Sequence, residues 1–169
     1  MRPNAAVTEP VVIENWKFVE VEPLWRPSRA LVPLGRALFS LLFIMSAPGH
    51  FTSQTVGYAA QAGVPMAGIL VPLTGVMLLL GGVSILLGLR ARVGAWLVVA
   101  FLVPVTIVMH NFWSIADPAM RGVQQAHFFK NVALAGAALL IAYFGAGPFS
   151  IDRLRLRWRL QHRPVEVAL

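Results

Sequence analysis

The sequence predicts an all-α membrane protein, a four-helix transmembrane bundle running up and down through the bilayer. Three observations point there. Four apolar runs are long enough to approach or exceed the roughly 20 helical residues that cross a ~30 Å hydrocarbon core. Only 12% of the chain is charged, against about a quarter in a soluble domain, and those charges gather at the ends and in short loops. The runs are also continuous, not alternating. That selects helices over barrel strands as the way to pair every backbone group in lipid.

Residues 1–30 are polar and mixed in charge and read as a cytoplasmic N-terminal segment. They lack the short apolar stretch of a cleavable signal, so the first apolar run reads as a retained anchor. That run covers residues 31–50 and contains Arg36. A guanidinium several residues inside a span is costly. It either snorkels to phosphates as a membrane anchor, or turns inward onto helix-end carbonyls. No acidic residue lies inside any span to pair with it, which also argues against a proton relay or ion-coupled transporter.

The second span covers residues 66–89 and carries Pro72 together with Gly81, Gly82, Ser84 and Gly88. Small residues of this kind let helix backbones approach closely in lipid. The third span covers residues 93–113 and carries Pro104; each proline removes a helical hydrogen bond and kinks its helix. The fourth covers residues 127–144, with Ala133, Gly136, Ala137 and Ala138 available for packing. Short connections make successive helices antiparallel neighbours, so residues 31–149 form one transmembrane domain.

Basic residues set the expected orientation. Arg26 and Arg29 precede the first span, Arg90 and Arg92 lie between the second and third, and five arginines follow the fourth. The positive-inside rule then puts both termini in the cytoplasm of a bacterial inner membrane. The net charge of +7 therefore reports topology and does not call for a nucleic-acid partner. Within the basic tail, residues 150–169, Leu154-Arg155-Leu156-Arg157-Trp158-Arg159-Leu160 alternates with period two, as does Val19-Glu20-Val21-Glu22. Such alternation predicts a small cytoplasmic β-pair of opposite charge. The competing reading is a basic helix lying on anionic lipid.

Several of these stretches resemble the DoxX family of small four-helix membrane proteins. Arg36-Ala37-Leu38-Phe39 leads to Gly49-His50-Phe51. Gly81-Gly82 leads to Leu87-Gly88-Leu89, and His110-Asn111-Phe112-Trp113 ends the third span. Phe129-Lys130-Asn131 opens the fourth span, and Gly145-Ala146-Gly147-Pro148-Phe149 follows it. Many members carry a Glu just before the Gly-Gly run, where this chain has Leu78. The resemblance implies the fold and a role beside redox enzymes, since one member is the small membrane subunit of a thiosulfate:quinone oxidoreductase.

The candidate site is the polar hinge between the third and fourth spans. Topology brings His50 to the same end as His110, Asn111, His127, Lys130 and Asn131. His127, Lys130 and Asn131 are spaced to share one helix face. These groups beside aromatic walls supply the donors and acceptors of a quinone head-group pocket. Alternatively, Trp113, Phe128 and Phe129 anchor the chain at the interface and Lys130 snorkels. A third reading is a surface that docks a partner. Metal ligation by His50, His110 and His127 is disfavoured, since none belongs to a local ligand pair and Lys130 repels cations.

With no cysteine, the chain has no thiol redox chemistry or Cys-ligated cluster of its own. The leading expectation is a membrane subunit of an oxidoreductase complex, not itself a complete catalyst. It would present quinone while a partner subunit supplies the redox centre. A structural or assembly subunit and a small-solute carrier, possibly as a homo-oligomer, stand as alternatives.

Overall fold

A computed structural model describes residues 28–162. Six α-helices follow in order: α1 Ser28–Ser46, α2 Ser53–Gln61, α3 Ala67–Leu87, α4 Ala91–Met109, α5 Pro118–Phe144 and α6 Ile151–Gln161. Short 3-10 turns cover Ala47–Phe51 and Phe112–Ser114. Four stretches are long and apolar enough to cross a membrane: Ala30–Phe51, Ala67–Leu87, Ala91–Ser114 and Pro118–Phe144. No strand occurs among the described residues.

The four long helices pack in sequence order, α1 on α3, α3 on α4 and α4 on α5. Phe43, Leu78, Ile85, Val98, Leu102 and Ala138 form the core between them. The long outward faces stay apolar; Leu38, Ile69, Leu80, Ile107 and Leu140 are all more than half exposed. That is the arrangement lipid requires, because tails solvate such side chains as well as a protein interior does.

The paired glycines of α3 explain how close the helices come. A Cβ on Gly82 would lie 2.7 Å from Ile44 Cγ1 of α1. A Cβ on Gly81 would lie 2.9 Å from the Gly94 carbonyl of α4. Each glycine thus opens α3 to a different neighbour. Ser84 closes the α3–α4 turn, donating through Oγ to the carbonyls of Leu89 (2.7 Å) and Arg90 (3.2 Å).

The turn after α5 is tied down from three sides. Arg36 is only 5% exposed and points inward. Its Nη1 donates to the Ala146 carbonyl and its Nη2 to the Phe149 carbonyl at 2.9 Å. The inward alternative thus describes Arg36, and the head-group anchor does not. Asp152 accepts from the backbone N–H of Arg90 (3.0 Å) and Ala91 (3.4 Å), and its own N–H donates to the Gly88 carbonyl at 2.9 Å. Gly88 ends α3 with φ +63, and a Cβ there would sit 2.4 Å from Ser150 Cβ. Only glycine meets both demands.

One boundary and two elements differ from the sequence expectation. The segment expected as a strand at 154–160 belongs to helix α6. Ser150 caps α6 by accepting from Arg153 N–H at 3.2 Å, and Asp152 lies in the first turn, where the helix dipole favours an acid. In helical register Ile151, Leu154 and Trp158 share one face, so the Leu–Arg alternation suits a helix too. Its proposed partner, residues 19–22, lies outside the described residues. The fourth long helix starts at Pro118, not at His127, so half of the hinge is helical. Helix α2, within the uncharged connection between the first two spans, was not anticipated.

Candidate functional site

The end of the bundle that carries the histidines divides into two places. The first lies between α4 and α5. Asp117 caps α5, its carboxylate accepting from Met120 N–H at 2.8 Å, and Pro118 follows at the first helical position. Arg121 Nε donates to the Ile115 carbonyl at 2.8 Å and holds the connection against the helix. This register sets Gln124 and His127 one turn apart on the side that meets His110.

The His110 and His127 rings stack with centroids 5.3 Å apart and planes at 28°. His110 Nδ1 lies 2.7 Å from Gln124 Oε1, so that nitrogen carries the proton. Lys130 Nζ lies 3.4 Å from His127 Nδ1, which accepts, leaving the His127 proton on Nε2. Asn131 is 6% exposed and faces the bundle, while Lys130 is exposed. The Asn111 carbonyl takes the Ser114 hydroxyl at 2.9 Å and closes the turn. Phe112, Trp113, Phe128 and Phe129 pack edge-on or tilted, with centroids 5.3–6.3 Å apart. Trp113 and Phe129 remain more than half exposed. Replacing Asp117 by Ala removes the cap; we expect a loss of about 1 kcal/mol and faster amide exchange over residues 118–124. Unchanged exchange there would contradict the cap's role.

The second place holds His50 alone. A cleft of about 400 Å³ lies between α2, α3 and α4, lined by apolar residues including Val64, Val71, Met77, Phe101, Val105 and Val108. Helix α2 roofs it, with Ala59 packed among Ala67, Val71 and Met109. His50 lines the cleft and sits edge-on to Phe101, centroids 5.6 Å apart. Gly75 makes room for it, because a Cβ there would lie 2.8 Å from His50 Cβ. The His50 Nδ1 is 3.1 Å from the Ser46 carbonyl, which can only accept. The ring proton is therefore on Nδ1, and Nε2 of the neutral ring is an open acceptor. The Thr74 hydroxyl, also on the wall, spends its proton on the Val71 carbonyl at 2.7 Å. Pro104 on the same wall has no N–H for the carbonyl one turn back.

The expected single cluster is thus two. His110, His127 and Lys130 come together with Gln124 of the same hinge. His50 stays with α2, α3 and α4, and among the described residues no group of three His, Cys, Asp or Glu side chains is arranged to hold a metal ion.

The DoxX family model matches residues 31–111. The inner membrane protein YphA of Escherichia coli is 34% identical over 99 residues, covering 59% of this chain and 70% of that protein. The inner membrane protein YqjF of the same organism is 33% identical over 125 residues, covering 73% and 90%. The chain belongs to the DoxX family. It is an integral membrane protein with the four spans that the family resemblance implied. No solved structure matches it. The DoxX match contains Arg36, His50 and all the lining of the cleft, and stops before His127 and Lys130.

Proposed function

We propose that this DoxX protein is the membrane subunit of an oxidoreductase and holds a lipid-soluble quinone in the α2–α3–α4 cleft, its head group against His50. One observation carries the reading: an apolar cleft in the spanning region whose wall presents a histidine with a fixed tautomer. Such sites bury an apolar ligand and orient it with a few polar groups. Neutral His50 accepts the hydroxyl proton of a quinol through Nε2; protonated His50 donates to a quinone carbonyl. Quinone supplies the two-electron chemistry when bound, and a partner subunit supplies the remaining redox centre. This chain binds, orients and exchanges the proton.

Of the six residues expected to share one pocket, His50 lines the cleft, and His110, Asn111, His127, Lys130 and Asn131 stay at the hinge. The stacked histidines and exposed aromatics of the hinge serve the partner, since large exposed aromatic side chains are favoured contact groups at interfaces. The basic residues at the opposite end support an inner-membrane orientation with both termini in the cytoplasm.

Purification from native membranes in mild detergent, followed by extraction and mass spectrometry of bound quinone, tests this. Val105→Trp fills the cleft and abolishes retention. His50→Ala lowers affinity about tenfold, the worth of one hydrogen bond to a polar head group. Equal quinone content in wild type and Val105→Trp would sink the proposal.

A further inference from the structure

At the opposite end of the bundle, a second cavity of about 470 Å³ lies where α6 leaves α3. Its walls combine two chemistries. Arg153 and Arg157, one turn apart on α6, supply guanidinium groups, and Leu87, Phe149 and Leu154 supply apolar surface. We propose that this cavity binds an anionic phospholipid of the bilayer, its phosphodiester on Arg157 and its acyl chains along Leu87 and Leu154.

Position supports it first. Leu87 is the last residue of the membrane-length helix α3, so the cavity sits at the hydrocarbon boundary. Helix α6 begins at that level, fixed there by Asp152 on the α3–α4 turn. It is not among the segments apolar enough to cross the membrane. Shape supports it next. Leu154 and Trp158 are 64% and 62% exposed, and they share a face with Ile151. A helix with an apolar face bordered by arginines lies along the interface.

Charge decides the class of lipid. Arg155, Arg157 and Arg159 add three positive charges along α6, and the Asp152 carboxylate faces the Arg90 and Ala91 amides. A guanidinium pairs bidentately with a phosphodiester. A choline head group would add a second cation to this field, whereas phosphatidylglycerol adds none. Phe149, on the cavity wall, has a left-handed conformation, φ +52, and its carbonyl accepts from Arg36. The site is therefore built by the same turn that Arg36 organises.

Native mass spectrometry of the full chain in detergent, titrated with phosphatidylglycerol or phosphatidylcholine, tests the proposal. Phosphatidylglycerol binds at least about fivefold more tightly than phosphatidylcholine, and Arg157→Gln removes that preference, the strength of one near-surface arginine. Arg155→Gln removes the same charge from the same helix but does not line the cavity, and it keeps the preference. Equal loss in both variants would reduce the effect to diffuse attraction and overturn the site. So would equal affinity of the wild type for the two lipids.

Discussion

Replacing Arg36 by alanine destabilises the folded bundle by about 2–4 kcal/mol and frees the start of α6, because two inward carbonyls lose charged donors. Arg36 leaves α1 nearly buried, at 5% exposure, and forks across the carbonyls of Ala146 and Phe149. Those carbonyls belong to the turn that reverses the chain between α5 and α6. Phe149 sits there at φ +52, which costs a non-glycine residue roughly 1–2 kcal/mol and persists only while its surroundings hold it. The net effect stays below the sum of two charged hydrogen bonds, since Arg36 Nε is buried without a partner among the described residues. Arg36→Lys retains the charge but offers a point donor where a planar fork is needed, so it recovers only part of the loss. Unfolding in mixed detergent micelles gives the stability, and amide exchange over residues 150–158 reports the turn. Wild-type exchange in Arg36→Ala would refute the tie between α1 and α6.

The second large effect belongs to the α3–α4 contact. A Cβ on Gly94 would lie 2.6 Å from Ser84 Oγ, 2.7 Å from Ser84 Cβ and 2.8 Å from the Gly81 carbonyl. Ser84 cannot swing aside without giving up its bonds to Leu89 and Arg90, and the Gly81 carbonyl is backbone. Gly94→Ala therefore forces the helices apart and costs about 1–3 kcal/mol. Gly136→Ala in α5 meets nothing within 4 Å and gains up to about 1 kcal/mol of helix propensity. The two variants should move the unfolding midpoint in opposite directions. A shared direction would mean that the close approach at Gly94 contributes nothing.

Hydropathy made the four spans legible because bilayer length and continuous apolarity are strong, local signals. The small residues of α3 were legible as contact points, although which neighbour each serves depends on tertiary placement. The inward course of Arg36 was visible only as one of two options. Its partners are backbone carbonyls 110 and 113 residues away, and sequence does not mark a carbonyl. Helix α2 is hard to read from the sequence because nine residues with few large apolar side chains give a weak signal; packing on α3 and the cap at Thr52 hold it. The early start of α5 was available in Asp117-Pro118, a capping residue followed by proline, but polarity argued for a loop. The Leu–Arg alternation of α6 misled because period two and a helical stripe at 151, 154 and 158 coexist in the same residues. The site was half legible. Its residue types were evident, but the separation of His50 from His110 and His127 follows from the roof that α2 builds.

Neighbouring residues on a helix point about 100° apart, so Gly81 and Gly82 cut two notches in α3 at a single height. α1 drops into one against Ile44 and α4 into the other against Gly94. The pair acts as a depth stop for both partners at once. Sliding either rod along α3 by one turn would lift it out of its notch and onto a full side chain. Three helices thus share one vertical datum, and the heights of the cleft at one end and of the α6 junction at the other are measured from the same mark.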